Sequence, residues 1–163
     1  MLKVITFFII LFLFIIAFGL VLYYLDFNNK ISVKGFRAID GDTIEYNGVK
    51  YRAYLMDTPE KNVQKYYRYE IKNHTCLAKY AIVAEEYLNN SLTHIKPIGK
   101  NDKYGRKLAL FYQNDKILDY EMVRLGLAFC YYRERSFPEA SKCLDYEEKA
   151  KEEKLGLWSC NYN

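Results

Sequence analysis

Asp40, Asp42 and Asp57 stand close to Arg52 and Glu60 in the chain, and these five side chains are its best material for chemistry. Two of the aspartates flank Gly41 in Ile39-Asp40-Gly41-Asp42-Thr43, and the third opens Asp57-Thr58-Pro59-Glu60. Carboxylates gathered without His or Cys suit a hard cation such as Ca²⁺ or Mg²⁺ over zinc or copper. Hydrolysis of a phosphodiester calls for a metal, a group that orients or deprotonates water, and fixed cations for the growing charge. An Asp-Gly-Asp turn alone is only a turn, so Arg52 and Glu60 are what make it a candidate site. A second arginine follows in Asp102-Lys103-Tyr104-Gly105-Arg106. Its planar fork can meet two phosphate oxygens together and keeps its charge. His74 and His94 are read as a loop and a strand residue without a catalytic role.

The elements that must position these residues follow from pattern. Ile31 to Ile39, Thr43 to Tyr46 and Val49 to Met56 read as strands, the last two joined by Asn47-Gly48, a dipeptide of tight two-residue hairpins. Lys61 to Thr75 reads as a long loop that interleaves Lys61, Lys65, Arg68 and Lys72 with Tyr66, Tyr67 and Tyr69, a mixture suited to stacking bases and holding a backbone. Leu77, Ala81, Ala84 and Leu88 recur at helical spacing over Cys76 to Asn89. Strands are expected over Ser91 to Gly99 and Lys107 to Tyr112. A short helix capped by Asp119 and stopped at Gly126 follows. The last helix opens on the capping box Ser136-Phe137-Pro138-Glu139, and its run Glu147 to Lys154 reads as a solvated face with i,i+4 pairs. Five strands with a helix between the third and fourth is the order of a small OB-type barrel, so the predicted class is α+β: a five-stranded closed barrel with two C-terminal helices.

With 163 residues the chain has room for one compact domain, assigned to 31–163. No charged residue occurs from Val4 to Leu25, and a stretch of that length can cross a bilayer. An uncleaved anchor over 1–25 is favoured over a cleaved signal, because the apolar region exceeds the roughly 7 to 15 residues of a signal and no A-x-A site follows it. Residues 26–30 read as a polar linker. Lys30 and Lys34 after the segment, against Lys3 before it, give a weak bias against export. The even set Cys76, Cys130, Cys143 and Cys160 points instead to an oxidising compartment, so the domain is expected on the extracytoplasmic side. All three complete pairings stay open, and no C-x-x-C pair supports zinc. A formal charge of +4 is compatible with a polyanionic partner.

From about Ile31 to Trp158 the chain resembles the thermonuclease, or staphylococcal-nuclease-like, family. The likeness rests on the three stretches above together with Arg124-Leu125-Gly126-Leu127-Ala128 and Lys154-Leu155-Gly156-Leu157-Trp158. It implies one Ca²⁺ held by Asp42, Asp57 and the main-chain carbonyl of Thr58, with Asp40 just outside the ligand set. By the same likeness Glu60 handles the attacking water, and Arg52 and Arg106 bind the phosphate and stabilise the transition state. Lys103, Tyr104 and Tyr132 fall at nucleotide-contacting positions. The implied activity is hydrolysis of single-stranded DNA and RNA to 3′-phosphate ends by a monomer without a protein partner. The long tyrosine-rich loop, the cysteines and the anchor depart from the family pattern. An inactive OB module that binds single strands is the alternative, and metal-dependent cutting separates the two.

Overall fold

The computed structural model describes residues 2–62, 71, 73–132, 135 and 137–161. It divides into two units, Met1–Ile31 and Ser32–Asn163. The first is formed by helix α1 (Leu2–Asn28), which takes in 26–28 of the expected polar linker 26–30. Its described side chains are apolar and exposed, among them Phe7, Phe14 and Leu20. Among the described residues no helix is long and apolar enough to cross a membrane.

The second unit is α+β. Its strands are β1 (Ile31–Ser32), β2 (Arg37–Ala38), β3 (Thr43–Tyr46), β4 (Val49–Ala53), β5 (Met56–Asp57), β6 (His94–Asn101), β7 (Lys107–Gln113), β8 (Lys116–Ile117) and β9 (Phe129–Cys130). Seven of them form one curled half-barrel sheet in the order β1-β6-β7-β4-β3-β2 with β8 beside β7, while β5 and β9 pair separately. The predicted closed barrel of five strands is thereby corrected. The expected third strand breaks at Tyr54-Leu55, where the Tyr54 N–H turns to the Ala109 carbonyl and the Leu55 N–H to the Asp119 carboxylate. Beyond the break the chain pairs with β9 in place of the main sheet. Asn47 and Gly48 both hold positive φ, as their two-residue hairpin demands.

Helix α2 (His74–Ser91) begins two residues before its predicted start, because the Asn73 side chain caps the Cys76 N–H at 3.1 Å. It buries the expected Leu77, Ala81, Ala84 and Leu88. In α3 (Leu118–Arg124) Asp119 is no cap; it lies inside the helix, fully buried. Its carboxylate accepts the Leu55 N–H at 3.0 Å and the Phe111 N–H at 2.9 Å, tying the strand break and β7 to one helix. Helix α4 (Pro138–Glu152) starts after Phe137, which makes no side-chain cap, and Ser136 of the expected capping box lies outside the described residues. Its charged run is only partly a solvated face: Glu147 is buried, accepting the Cys130 N–H at 2.6 Å and pairing with Lys151 at 2.7 Å.

The two Leu-Gly-Leu stretches meet each other. Leu157 N–H donates to the Gly126 carbonyl at 2.8 Å, and a Cβ on Gly156 would stand 2.1 Å from that oxygen. Both glycines also hold positive φ, which explains the residue at each position. Disulfides join Cys76 to Cys160 and Cys130 to Cys143, selecting one of the three pairings.

Candidate active site

The turn that carries the first two aspartates is built tightly. The Asp40 carboxylate accepts the Asp42 N–H at 3.0 Å, and the Ile39 N–H reaches the Thr43 carbonyl at 2.8 Å. Gly41 has no room for a side chain, since a Cβ there would lie 2.8 Å from Ala84 and 2.9 Å from Thr58. That contact presses the turn against α2 and the start of the next motif. Cross-strand register then places Thr43 opposite Arg52, and Arg52 opposite Leu108 on the other side.

Arg52 is 8% exposed and lies between two of the predicted carboxylates. Its Nη1 stands 2.9 Å from Asp42 Oδ1, and its Nη2 donates to Asp57 Oδ1 at 2.5 Å. Burial disfavours the guanidinium charge, but Asp42 and Asp57 outweigh it and hold Arg52 protonated above the usual arginine range. The second oxygen of Asp42 accepts the Thr58 N–H at 2.9 Å and its hydroxyl at 3.3 Å. Asp42, Asp57, Thr58 and Arg52 thus form one connected group. Asp40, half-buried beside it, is pushed up to about 7, first by burial and then by the charge of Asp42.

Arg106 joins through Thr43, whose hydroxyl donates to Asp42 at 2.8 Å and accepts from Arg106 Nη1 at 3.1 Å. Asp102 aims that arginine: one oxygen accepts Arg106 Nε at 2.6 Å, and the other takes the main-chain N–H groups of Tyr104 and Arg106 at 2.9 Å each. An open cavity of about 520 Å³ is lined by Arg52, Asp57, Glu60 and Arg106 together with Lys103, Tyr104 and Tyr132. Glu60 is exposed at its edge. Asp42 and Thr58 lie behind the lining, reached through Arg52.

Two features bear on what the cavity can hold. Arg52 Nη1 is buried and, although close to Asp42, is not aligned with any acceptor as a hydrogen bond, so it retains donor capacity for an anion. Asp40, Asp42 and Asp57 also place more negative charge in a partly buried space than Arg52 offsets, and their all-oxygen chemistry fits a hard cation. Among the described residues no three His, Cys, Asp or Glu side chains converge to hold a metal by themselves. A cation there needs carbonyl, water or substrate oxygens as well.

Sequence reasoning missed Asp102 and Thr43 as the groups that orient Arg106, although both stand inside the motifs that carry the site. Tyr54 and Tyr131 were missed as lining residues. Adjacent tyrosines at 131 and 132 were the available signal. Of the tyrosine-rich loop, 63–70 and 72 lie outside the described residues.

The profile of the Staphylococcal nuclease homologue family matches residues 50–160. Endonuclease YncB of Bacillus subtilis is 34% identical over 137 residues, covering 76% of this chain and 59% of its own length. The SPbeta prophage-derived endonuclease YokF of the same organism is 33% identical over 138 residues, covering 77% of this chain and 43% of its own. An uncharacterized protein of Methanocaldococcus jannaschii is 29% identical over 162 residues, covering 86% and 77%. The chain therefore spans about half the length of the two endonucleases it matches.

Proposed function

Because this chain belongs to the Staphylococcal nuclease homologue family, we propose that it is a Ca²⁺-dependent nuclease that hydrolyses phosphodiester bonds in single-stranded DNA and RNA. The observation that carries this reading is Arg52, buried against Asp42 and Asp57 on the wall of a cavity that also opens on Arg106 and Glu60. The metal, water and phosphate roles of this reading fall to residues that line this cavity or lie behind its Arg52.

Asp42, Asp57 and the Thr58 carbonyl would hold the Ca²⁺, with Asp40 outside them. When bound, the ion draws charge from a phosphate oxygen and offsets the carboxylates. Glu60 orients water or takes its proton from the open side of the cavity. Arg52 and Arg106 approach the phosphoryl oxygens and neutralise the charge that grows there, Arg52 with the donor capacity left on Nη1. Water attacks phosphorus, the bond to the 5′ oxygen breaks, that oxygen leaves as a hydroxyl with a proton from solvent, and phosphate stays on the 3′ oxygen. Lys103 grips the backbone, while Tyr104 and Tyr132 offer ring faces to unpaired bases, which favours single strands.

The apolar, uncharged stretch Val4 to Leu25 within α1 supports a tether to the bilayer, and two disulfides support an extracytoplasmic domain. Carbonate extraction of cell membranes tests the tether: the chain is expected to stay with the lipid, and release into the wash contradicts it.

Incubating the full chain with single-stranded DNA, with Ca²⁺ and then with chelator, tests the activity. Cutting to 3′-phosphate ends that stops on chelation is expected. Binding without cutting under every divalent cation would assign the fold to a single-strand-binding module.

A further inference from the structure

Tyr131 stands outside every motif that carries the site, yet it lies against the central cation. We propose, resting on the nuclease reading above, that Tyr131 is a positioning residue for Arg52, covering the guanidinium so that it neither tilts nor hydrates while its charge faces the scissile phosphate.

The argument begins with what holds Arg52. Asp42 and Asp57 engage its two terminal nitrogens at one edge. A planar group held along one edge can still swing about that edge. Arg52 Cζ lies over the Tyr131 ring, 5.3 Å from its centroid, so the ring adds a contact to the two the carboxylates make. Ring quadrupole and cation attract each other there, more strongly as water is excluded, and Arg52 is 8% exposed. The face contact leaves the Nη1 protons free to meet an acceptor.

Tyr131 is itself held firmly on its main chain. Its N–H donates to the Leu55 carbonyl at 2.8 Å. In the ladder just before it, Asp57 pairs with Phe129 and Met56 with Cys130. The ladder that delivers Asp57 to one nitrogen of Arg52 therefore also delivers Tyr131 to its face. Cys130 is anchored from behind by Glu147 at 2.6 Å and by its disulfide to Cys143. On the side chain, Tyr132 packs edge-on at 5.3 Å. The contact with Arg52 is made by the ring, and phenylalanine keeps the ring.

The test compares the full chain with Y131F and Y131L, the second keeping apolar bulk without a ring face. Two readouts are needed. Single-turnover cleavage with saturating Ca²⁺ is expected to stay within about twofold in Y131F and to fall about tenfold in Y131L, with KM unchanged. The NMR signal of Arg52 Nε–Hε, identified by its loss in R52K, is expected upfield from the ring current in the wild type and Y131F and at the ordinary arginine position in Y131L. Equal turnover in Y131L, or a loss confined to KM, overturns the proposal, the latter because it would make Tyr131 a nucleotide contact. An unshifted signal in the wild type overturns it as well. The NMR readout needs no turnover, so a chain that shows the shift but never cuts nucleic acid refutes the nuclease reading and leaves the stacking in place.

Discussion

Arg52 and Arg106 are placed by different means, and the difference predicts different sensitivities. Arg52 is buried between two carboxylates, whereas Arg106 is more open and depends on Asp102 and Thr43 for its direction. Removing the Asp102 carboxylate frees Arg106 Nε and two main-chain N–H groups at once. D102A is therefore expected to lower turnover at least tenfold, by loss of orientation, while Ca²⁺ affinity stays the same. Steady-state kinetics alongside calorimetric Ca²⁺ titration checks both halves. Glu60 lies on the open side of the cavity, and E60Q keeps its shape while removing the base. A loss of about 10² to 10⁴ in turnover is the expected outcome for a residue that takes a proton from water, and an unchanged rate would exclude that role.

Asp119 shows how one element fixes the site from a distance. Its carboxylate bonds the main chain at Leu55 and Phe111, so α3 sets the break after β4 that lets β5 bring Asp57 back toward Arg52. D119A would leave two buried N–H groups without partners, at about 1 to 3 kcal/mol each. A loss of about 2 to 6 kcal/mol in urea unfolding is expected. Burial pushes the Asp119 carboxyl up to about 7, against the pull of its N–H donors. A group raised in the folded state stabilises fully below its unfolded pKa and loses that contribution as pH rises through the folded one. Its share of stability should therefore fall between about pH 4 and 7, and D119N should remove that slope.

The same element shows where the sequence stops being informative. The Asn47-Gly48 hairpin, the apolar face of α2 and the Asp-Gly-Asp turn are local, each set by a few neighbouring residues, and all could be read directly. The break at Tyr54-Leu55 is imposed by β9 and Asp119, which arrive much later in the chain, and no local pattern announces it. Glu147 belongs to a run that any period would call solvated, and only the Cys130 main chain explains its burial. Asp119 looks like a cap because it precedes an apolar helix, yet its partners lie at the strand break, Leu55, and on β7, Phe111. The motifs of the proposed site were legible as types and spacings, while Tyr131, which meets Arg52 across space, was not.

At the scale of the whole molecule, one disulfide ties α2 to the C-terminal segment and the other ties α4 to β9. Cys76–Cys160 closes a separation of 84 residues and Cys130–Cys143 one of 13. Opening a native disulfide costs about 2 to 5 kcal/mol in a small secreted domain. Full reduction is expected to lower the unfolding temperature by several degrees, read by calorimetry on the full chain in detergent with and without reductant. The formal charge of +4 supplies only weak general attraction for nucleic acid, so affinity for the strand should rest on the cavity and fall as salt rises. The proposed activity rests on one guanidinium, held by two aspartates, meeting the phosphate. R52K keeps the charge and loses the fork, so its single-turnover cleavage of single-stranded DNA at saturating Ca²⁺ is the most direct measurement. A rate at least 100-fold below the wild type, with strand affinity within a few-fold, is the predicted result. An R52K chain that cuts within threefold of the wild-type rate would contradict the assignment of Arg52 to the phosphate.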